Sequence, residues 1–189
     1  MAEFSFPLDA RPTLDGTDIA IGGNRIVART DLALVSVATP LGGDAALTRA
    51  LQDGLGLALP APTLSTIAGE MRAIRTAPDQ LLLAFPHPTP DARGVIDAKL
   101  GNTGYTTDQT DAWVILEASG PDTLAALERL CPLDVHTFEV GGSGRSMMEH
   151  MGALIIRTGP HAFWLMSASS SAGSFLHAVE TSFRNVVTV

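Results

Sequence analysis

Trp113-Val114-Ile115-Leu116, then Ser119-Gly120-Pro121-Asp122, then Leu124, Leu127 and Leu130 form the stretch on which the fold of this chain turns. The apolar run suits a strand, Ser-Gly-Pro-Asp supplies a turn and a helix start with proline in the first turn, and the three leucines share one helical face. A strand, a tight turn and a helix therefore stand near mid-chain. Asp108-Gln109-Thr110-Asp111 leads into them and Cys131-Pro132-Leu133-Asp134 closes them. No base, nucleophile and orienting group come together in this segment, and its acidic residues flank structural elements. Its importance is topological, because the chain before and after it follows one plan twice.

Upstream, residues 1–17 read as an extended arm lying on a surface, followed by a short ribbon through Ile19–Ile21 and Arg25–Val27 around Gly22-Gly23-Asn24. Leu32, Leu34, Val35 and Val37 predict a strand, Gly42-Gly43-Asp44 a turn and cap, and Leu47, Ala50, Leu51 and Leu55 a helix stopped by Leu59-Pro60-Ala61-Pro62. A hairpin is predicted from Ile67–Thr76 and Gln80–Phe85, turning at Ala77-Pro78-Asp79. His87-Pro88-Thr89-Pro90-Asp91 leads into a helix bearing Val95, Ile96 and Leu100, and Tyr105–Thr110 reads as the closing strand.

Downstream, Val140-Gly141-Gly142-Ser143-Gly144-Arg145 reads as a mobile linker. Met147–Arg157 and Ala162–Ala168 read as a strand pair turning at Thr158-Gly159-Pro160, and Ser169–Ser171 as the cap of a last helix with Phe175, Leu176, Val179 and Phe183. The letters repeat as well as the pattern. Arg75-Thr76-Ala77-Pro78-Asp79-Gln80-Leu81-Leu82 aligns with Arg157-Thr158-Gly159-Pro160-His161-Ala162-Phe163-Trp164, and Gly42-Gly43-Asp44 parallels Gly120-Pro121-Asp122. The expected fold class is α+β, a duplicated split β-α-β (ferredoxin-like) arrangement with helices on one face of each sheet. Its parts are an N-terminal arm and ribbon over residues 1–29 and one domain of two pseudo-repeats, about 30–110 and 111–189.

A chain of 189 residues that is 46% hydrophobic and 17% charged is long enough to bury a substantial core. Its formal net charge is −8 and Lys99 is its only lysine, so no basic stripe exists to follow a phosphate backbone, and nucleic acid is not an expected partner. One cysteine, Cys131, permits no internal disulfide and suits the reducing cytoplasm. Met1–Pro7 lacks the basic start and apolar run of a secretory signal and is expected to stay on the mature chain. The longest apolar runs, Leu81–Phe85 and Ala153–Ile156, fall well short of the roughly 20 residues of a membrane helix, so no membrane span is expected.

No candidate chemistry develops into a site. The histidines at 87, 136, 150, 161 and 177 lack zinc-site spacing, and Glu149 and His150, as strand neighbours, would face opposite ways. Gly141-Gly142-Ser143-Gly144 is no nucleophile elbow, since Arg145 stands where a closing glycine is needed. Cys131 reads as a buried filler, with Arg129 about 200° away around the helix. Asp108 and Asp111, with Thr107 and Thr110, read as caps of the crossing between halves, the alternative being a polar cluster for an amine or cation. Trp113 and Trp164 read as core, and Arg75 and Arg157 as turn arginines with carboxylate or partner pairing as the alternative. Catalytic, cofactor-binding and metal-ligating residues are all expected to be none.

The run Thr107–Trp113, then Ser119-Gly120-Pro121-Asp122, then Leu130-Cys131-Pro132-Leu133-Asp134 resembles the gamma subunit family of heterotetrameric sarcosine oxidase. Leu59-Pro60 fits the family's early strand-helix ending, and Ala77-Pro78-Asp79-Gln80-Leu81-Leu82 is a loosened form of its Gly-Pro-Asp-Glu-Trp-Leu hairpin. The likeness spans roughly residues 30–185. Two departures stand out: the hairpin tryptophan is missing, and Ala168-Ser169-Ser170-Ser171 replaces an arginine-serine pair at the last helix. The resemblance implies a fold like the folate-binding domain of aminomethyltransferases. It also implies a non-catalytic subunit supporting oxidative demethylation of sarcosine to glycine, with alpha, beta and delta partners carrying FAD, FMN, NAD, tetrahydrofolate and zinc, and none of these in this chain. Two alternatives remain open, the equivalent subunit of an N-methylglutamate dehydrogenase and a stand-alone folate-binding protein.

Overall fold

The computed structural model describes residues 11–88 and 91–187; the first ten residues of the expected arm and the Thr89-Pro90 connection lie outside the described residues. In chain order the elements are β1 (Asp18–Ile21), β2 (Asn24–Ala28), β3 (Leu32–Ala38), α1 (Asp44–Leu55), β4 (Ser65–Ala68), β5 (Met71–Ala77), β6 (Gln80–Pro86), α2 (Ala92–Leu100) and β7 (Tyr105–Asp108). They continue with β8 (Trp113–Ser119), α3 (Thr123–Leu130), β9 (Ser143–Met148), β10 (Met151–Gly159), β11 (Ala162–Ala168) and α4 (Ala172–Val187). Two antiparallel sheets result, in the orders β4-β5-β6-β3-β7 and β1-β2-β8-β11-β10-β9.

The inner strands β3, β6, β8, β10 and β11 are buried on both faces, which is why they read as apolar runs instead of alternating ones. In β3, Ala33, Val35 and Val37 pack with Leu47 and Leu51 of α1 and Ile96 and Leu100 of α2, whereas Leu32 and Leu34 point to the other sheet. In β8, Val114, Leu116 and Ala118 pack with Leu127 of α3 and Phe175, Val179 and Phe183 of α4, whereas Ile115 joins Leu34, Ile74, Leu154, Ile156 and Trp164 between the sheets. The layers are therefore helices, sheet, sheet, helices. Gly54 allows α1 to meet α2 closely, since a Cβ there would lie 2.4 Å from the Lys99 carbonyl oxygen.

The halves match bond for bond. Register Leu32↔Pro86 through Ala38↔Gln80 in one sheet is repeated by Trp113↔Ala168 through Ser119↔Ala162 in the other. Gln109 N donates to Leu34 O at 2.8 Å as Arg29 N does to Ile115 O at 2.9 Å. The duplicated split β-α-β fold expected from the sequence is thus present. β7 completes the first sheet along β3, and β2 takes the equivalent place along β8, so the N-terminal ribbon supplies the strand that the second half lacks after α4. Asn24 locks it there: buried, it donates to Asp122 Oδ2 and accepts from Asp122 N, both at 2.9 Å. Gly120 is required opposite it, at φ +132 with no room for a Cβ.

Several expectations need correction. The predicted strand Ile67–Thr76 is two strands, β4 and β5, because Gly69, at φ +58, turns the chain. Met147–Arg157 is likewise broken, by a two-residue turn in which Glu149 and His150 both have positive φ, so they are turn residues and not strand neighbours. The supposed linker over 140–145 enters edge strand β9, and Gly144 is glycine because a Cβ would come within 3.0 Å of Leu133 and Phe138. β7 ends at Asp108, and Ser169–Ser171 form a 3₁₀ turn that leads directly into α4.

Candidate functional site

The pseudo-symmetry has a centre. Leu64 and Gly142 form an antiparallel bridge, flanked by Ser65 N to Gly141 O at 2.7 Å and Ser143 N to Thr63 O at 2.8 Å. These equivalent residues exchange equivalent bonds, so the start of β4 meets the start of β9 about a local two-fold. Beside the bridge, β5 turns Arg72 into the space between the sheets, next in line with Ile74.

Around Trp164, 6% exposed in β11, the sheets share a polar cluster. Trp164 Nε1 donates to Glu117 Oε2 at 3.0 Å, and Arg29 Nη1 donates to the same oxygen at 2.8 Å. Arg29 also grips Asp31 through Nε and Nη2, each at 2.8 Å, and its Cζ lies 5.7 Å from the Trp164 ring centroid. Those bonds to Asp31, with Glu117 adding to them, raise the Arg29 pKa above its ordinary value, and in return Arg29 lowers that of Asp31. Arg72 completes the cluster with Cζ 5.3 Å from the ring centroid and Nη1 donating to Ser65 Oγ at 2.9 Å. Burial pushes the Arg72 pKa down, and its Nε has no partner. Such an arrangement can orient and clamp. It presents no nucleophile beside a base.

The other sequence candidates lie apart. Asp108 Oδ1 accepts from Thr110 N at 2.9 Å, and Thr110 Oγ1 accepts from Leu34 N at 3.1 Å, which makes these residues the cap of the crossing. Arg75 and Arg157 tie their own turns, Nε to Ala77 O at 3.0 Å and Nε to Gly159 O at 3.3 Å, at matching bulges of the two halves. Trp113 is half-buried against the inter-sheet core. Burial raises the pKa of the Cys131 thiol, as an inert filler requires. His136 pairs with Glu128 at 2.6 Å, eight residues away and exposed, which sequence adjacency could not reveal. Among the described residues no group of three or more His, Cys, Asp or Glu is placed to hold a metal ion. No helix among them is long and apolar enough to cross a membrane.

No family model matches the chain. The fold is shared with aminomethyltransferase T of the glycine cleavage system from Bartonella henselae, which superposes with a TM-score of 0.61 at 14% identity, covering 82% of this chain and 44% of that one. A chain of the heterotetrameric sarcosine oxidase from Corynebacterium sp. U-96, in complex with pyrrole 2-carboxylate, superposes with a TM-score of 0.75 at 20% identity, covering 89% and 88%. In sequence, the chain is similar to sarcosine oxidase subunit gamma of Arthrobacter sp, 28% identical over 126 residues. That match takes in 66% of this chain and 61% of the relative, less than two thirds of the latter's length. The resemblance to the sarcosine oxidase gamma subunit read from the sequence is borne out.

Proposed function

We propose that this chain is a gamma-type, non-catalytic subunit of a heterotetrameric sarcosine oxidase, supporting oxidative demethylation of sarcosine to glycine by flavin-bearing partners. The sequence match to a protein named as such a subunit carries the proposal, and the shared fold over 89% of the chain supports it. In this role the FAD, FMN, NAD, tetrahydrofolate and zinc belong to alpha, beta and delta subunits of a cytoplasmic complex. This chain supplies a rigid surface. Exposed Leu64, Ile67, Val140 and Met147 lie along and beside the two edge strands that meet at the Leu64–Gly142 bridge, and apolar side chains so placed suit coverage by an obligate partner.

The test is co-purification of the tagged chain from its own cells at native mass, with a flavin absorbance scan and oxidation assays on the eluate. Co-elution with bound flavin and sarcosine oxidation is expected. Oxidation of N-methylglutamate without sarcosine oxidation would move the chain to the related dehydrogenase. A lone chain without flavin would overturn the subunit role, and tetrahydrofolate titration would then test the stand-alone alternative.

A further inference from the structure

A groove of about 740 Å³ opens between the β9–β10 turn, the entry to β8 and the end of β11. Gln109, Trp113, Arg145, Ser146, His150 and Ser171 are among its lining residues. Although the chain has a formal net charge of −8, no carboxylate lines this groove among the described residues. A second cavity of about 390 Å³, near α3 and α4, differs in this respect, since both Arg129 and Glu149 line it. The permanent charge of the larger groove belongs to Arg145. Its Nε donates to Thr76 O at 3.3 Å, which anchors one edge of the guanidinium, and among the described residues it forms no ion pair with an acid. Among the described residues the terminal nitrogens have no acceptor, and Trp113, packed on the inter-sheet core, lines the same groove.

We propose that this groove binds a small organic carboxylate. The planar guanidinium fork of Arg145 matches a carboxylate in two parallel bonds, the hydroxyl of Ser171 supplies a further donor, and the ligand's apolar body lies against Trp113. A single arginine next to an apolar wall suits a monoanion better than a phosphate dianion. The volume falls within the range of about 300–1,000 Å³ usual for small-molecule sites. This site is independent of the assembly proposed above, and its test does not use oxidase activity.

The isotope-labelled full chain is titrated with benzoate, and with benzamide as the uncharged isostere, while amide chemical shifts are followed. Benzoate is expected to give saturable shifts at Ser146, Gly152, Ser167 and Ala168, with benzamide and the Arg145→Gln variant each binding about tenfold or more weakly. Arg129→Gln, in the second cavity, should bind benzoate as the parent does. The exposed position of Arg145 makes its variant fold-neutral, and the same spectra verify this. Equal affinity for benzamide, an unaltered affinity in Arg145→Gln, or no saturable shift up to ~20 mM benzoate would overturn the proposal.

Discussion

Replacing Arg72 with methionine is expected to stabilise the protein. Arg72 is 7% exposed between the sheets, with no carboxylate partner among the described residues and with Nε unbonded. The substitution forfeits the bond to Ser65 Oγ, about 1.5 kcal/mol for a charged donor, and the stacking over Trp164, about 2 kcal/mol when desolvated. Ser65 is not orphaned, because its hydroxyl still donates to Gly141 O at 2.9 Å. Against these losses, the unpartnered Nε ceases to cost about 1–3 kcal/mol, the buried ion ceases to cost about 2–3 more, and the thioether adds about 2 kcal/mol of apolar burial. The balance is a gain of about 1.5–4.5 kcal/mol, at roughly 2–4 °C in Tm per kcal/mol for a chain of this size. Urea and thermal unfolding followed by circular dichroism at neutral pH would measure it. A variant weaker than the parent by more than about 1 kcal/mol would refute the reasoning and mark Arg72 as a net contributor to sheet-sheet cohesion.

Glu117→Ala should cost about 1–3 kcal/mol in the same unfolding assay, because it strands the Trp164 N–H and takes one of two carboxylates from Arg29, which keeps its pair with Asp31. Gly54→Ala should destabilise by about 1–3 kcal/mol despite the better helix propensity of alanine, since its Cβ meets the Lys99 carbonyl oxygen; a stabilised variant would mean that α1 and α2 separate freely. Converting Glu149-His150 to Asn-Gly should add about 1–2 kcal/mol by relieving two positive φ angles, 45° and 68°, at a hairpin turn, with no loss of fold by amide spectra. The Asp31 pKa is depressed in the folded state, so its contribution is complete above the unfolded carboxylate value of about 3.9 and disappears as pH falls through the lower folded one. Asp31→Asn should therefore lower Tm at pH near 7 and leave it almost unchanged at pH about 2, and an equal loss at both would remove the charge from the explanation.

Regular elements were legible where burial shaped the letters. Trp113–Leu116 and Leu81–Phe85 read as strands because sheets and helices cover both faces, and Leu47, Leu51 and Leu127 marked helices because each helix buries one stripe. The breaks were not legible. Glu149-His150 lacks the Asn-Gly chemistry of its turn, so one strand was read through it, and the glycines at 141–144 look like a linker although close packing against Phe138, Leu133 and Glu139 explains Gly142 and Gly144. The cluster around Trp164 joins residues 29 and 31, from the connection between β2 and β3, to residue 72 of β5 and residue 117 of β8. Its one local signal was Arg72 itself, a charge set between Met71 and the apolar pair Ala73-Ile74.

The place of β2 decides what kind of duplication this is. Had the second half completed its sheet with a strand of its own, as the first half does with β7, the halves would have been two small domains in series, free to hinge about residues 109–112. Instead the second sheet takes its strand from the N-terminal ribbon, and Ile26 of that strand is fully buried in the second core. The first half then begins with β3, directly after a strand that belongs to the other sheet. Leu34, Ile74 and Leu82 of one sheet and Ile115, Leu154 and Ile156 of the other bury one another, so separating the halves would expose a continuous apolar face on each. The Asn24–Asp122 pair ties the ribbon to the turn that starts α3, and the Leu64–Gly142 bridge ties the opposite edges. With both ends fastened, bending between the halves must break buried pairs rather than flex a linker. A body of this kind suits a role in which the chain holds a surface still, and that is the mechanical content of the subunit function proposed for it.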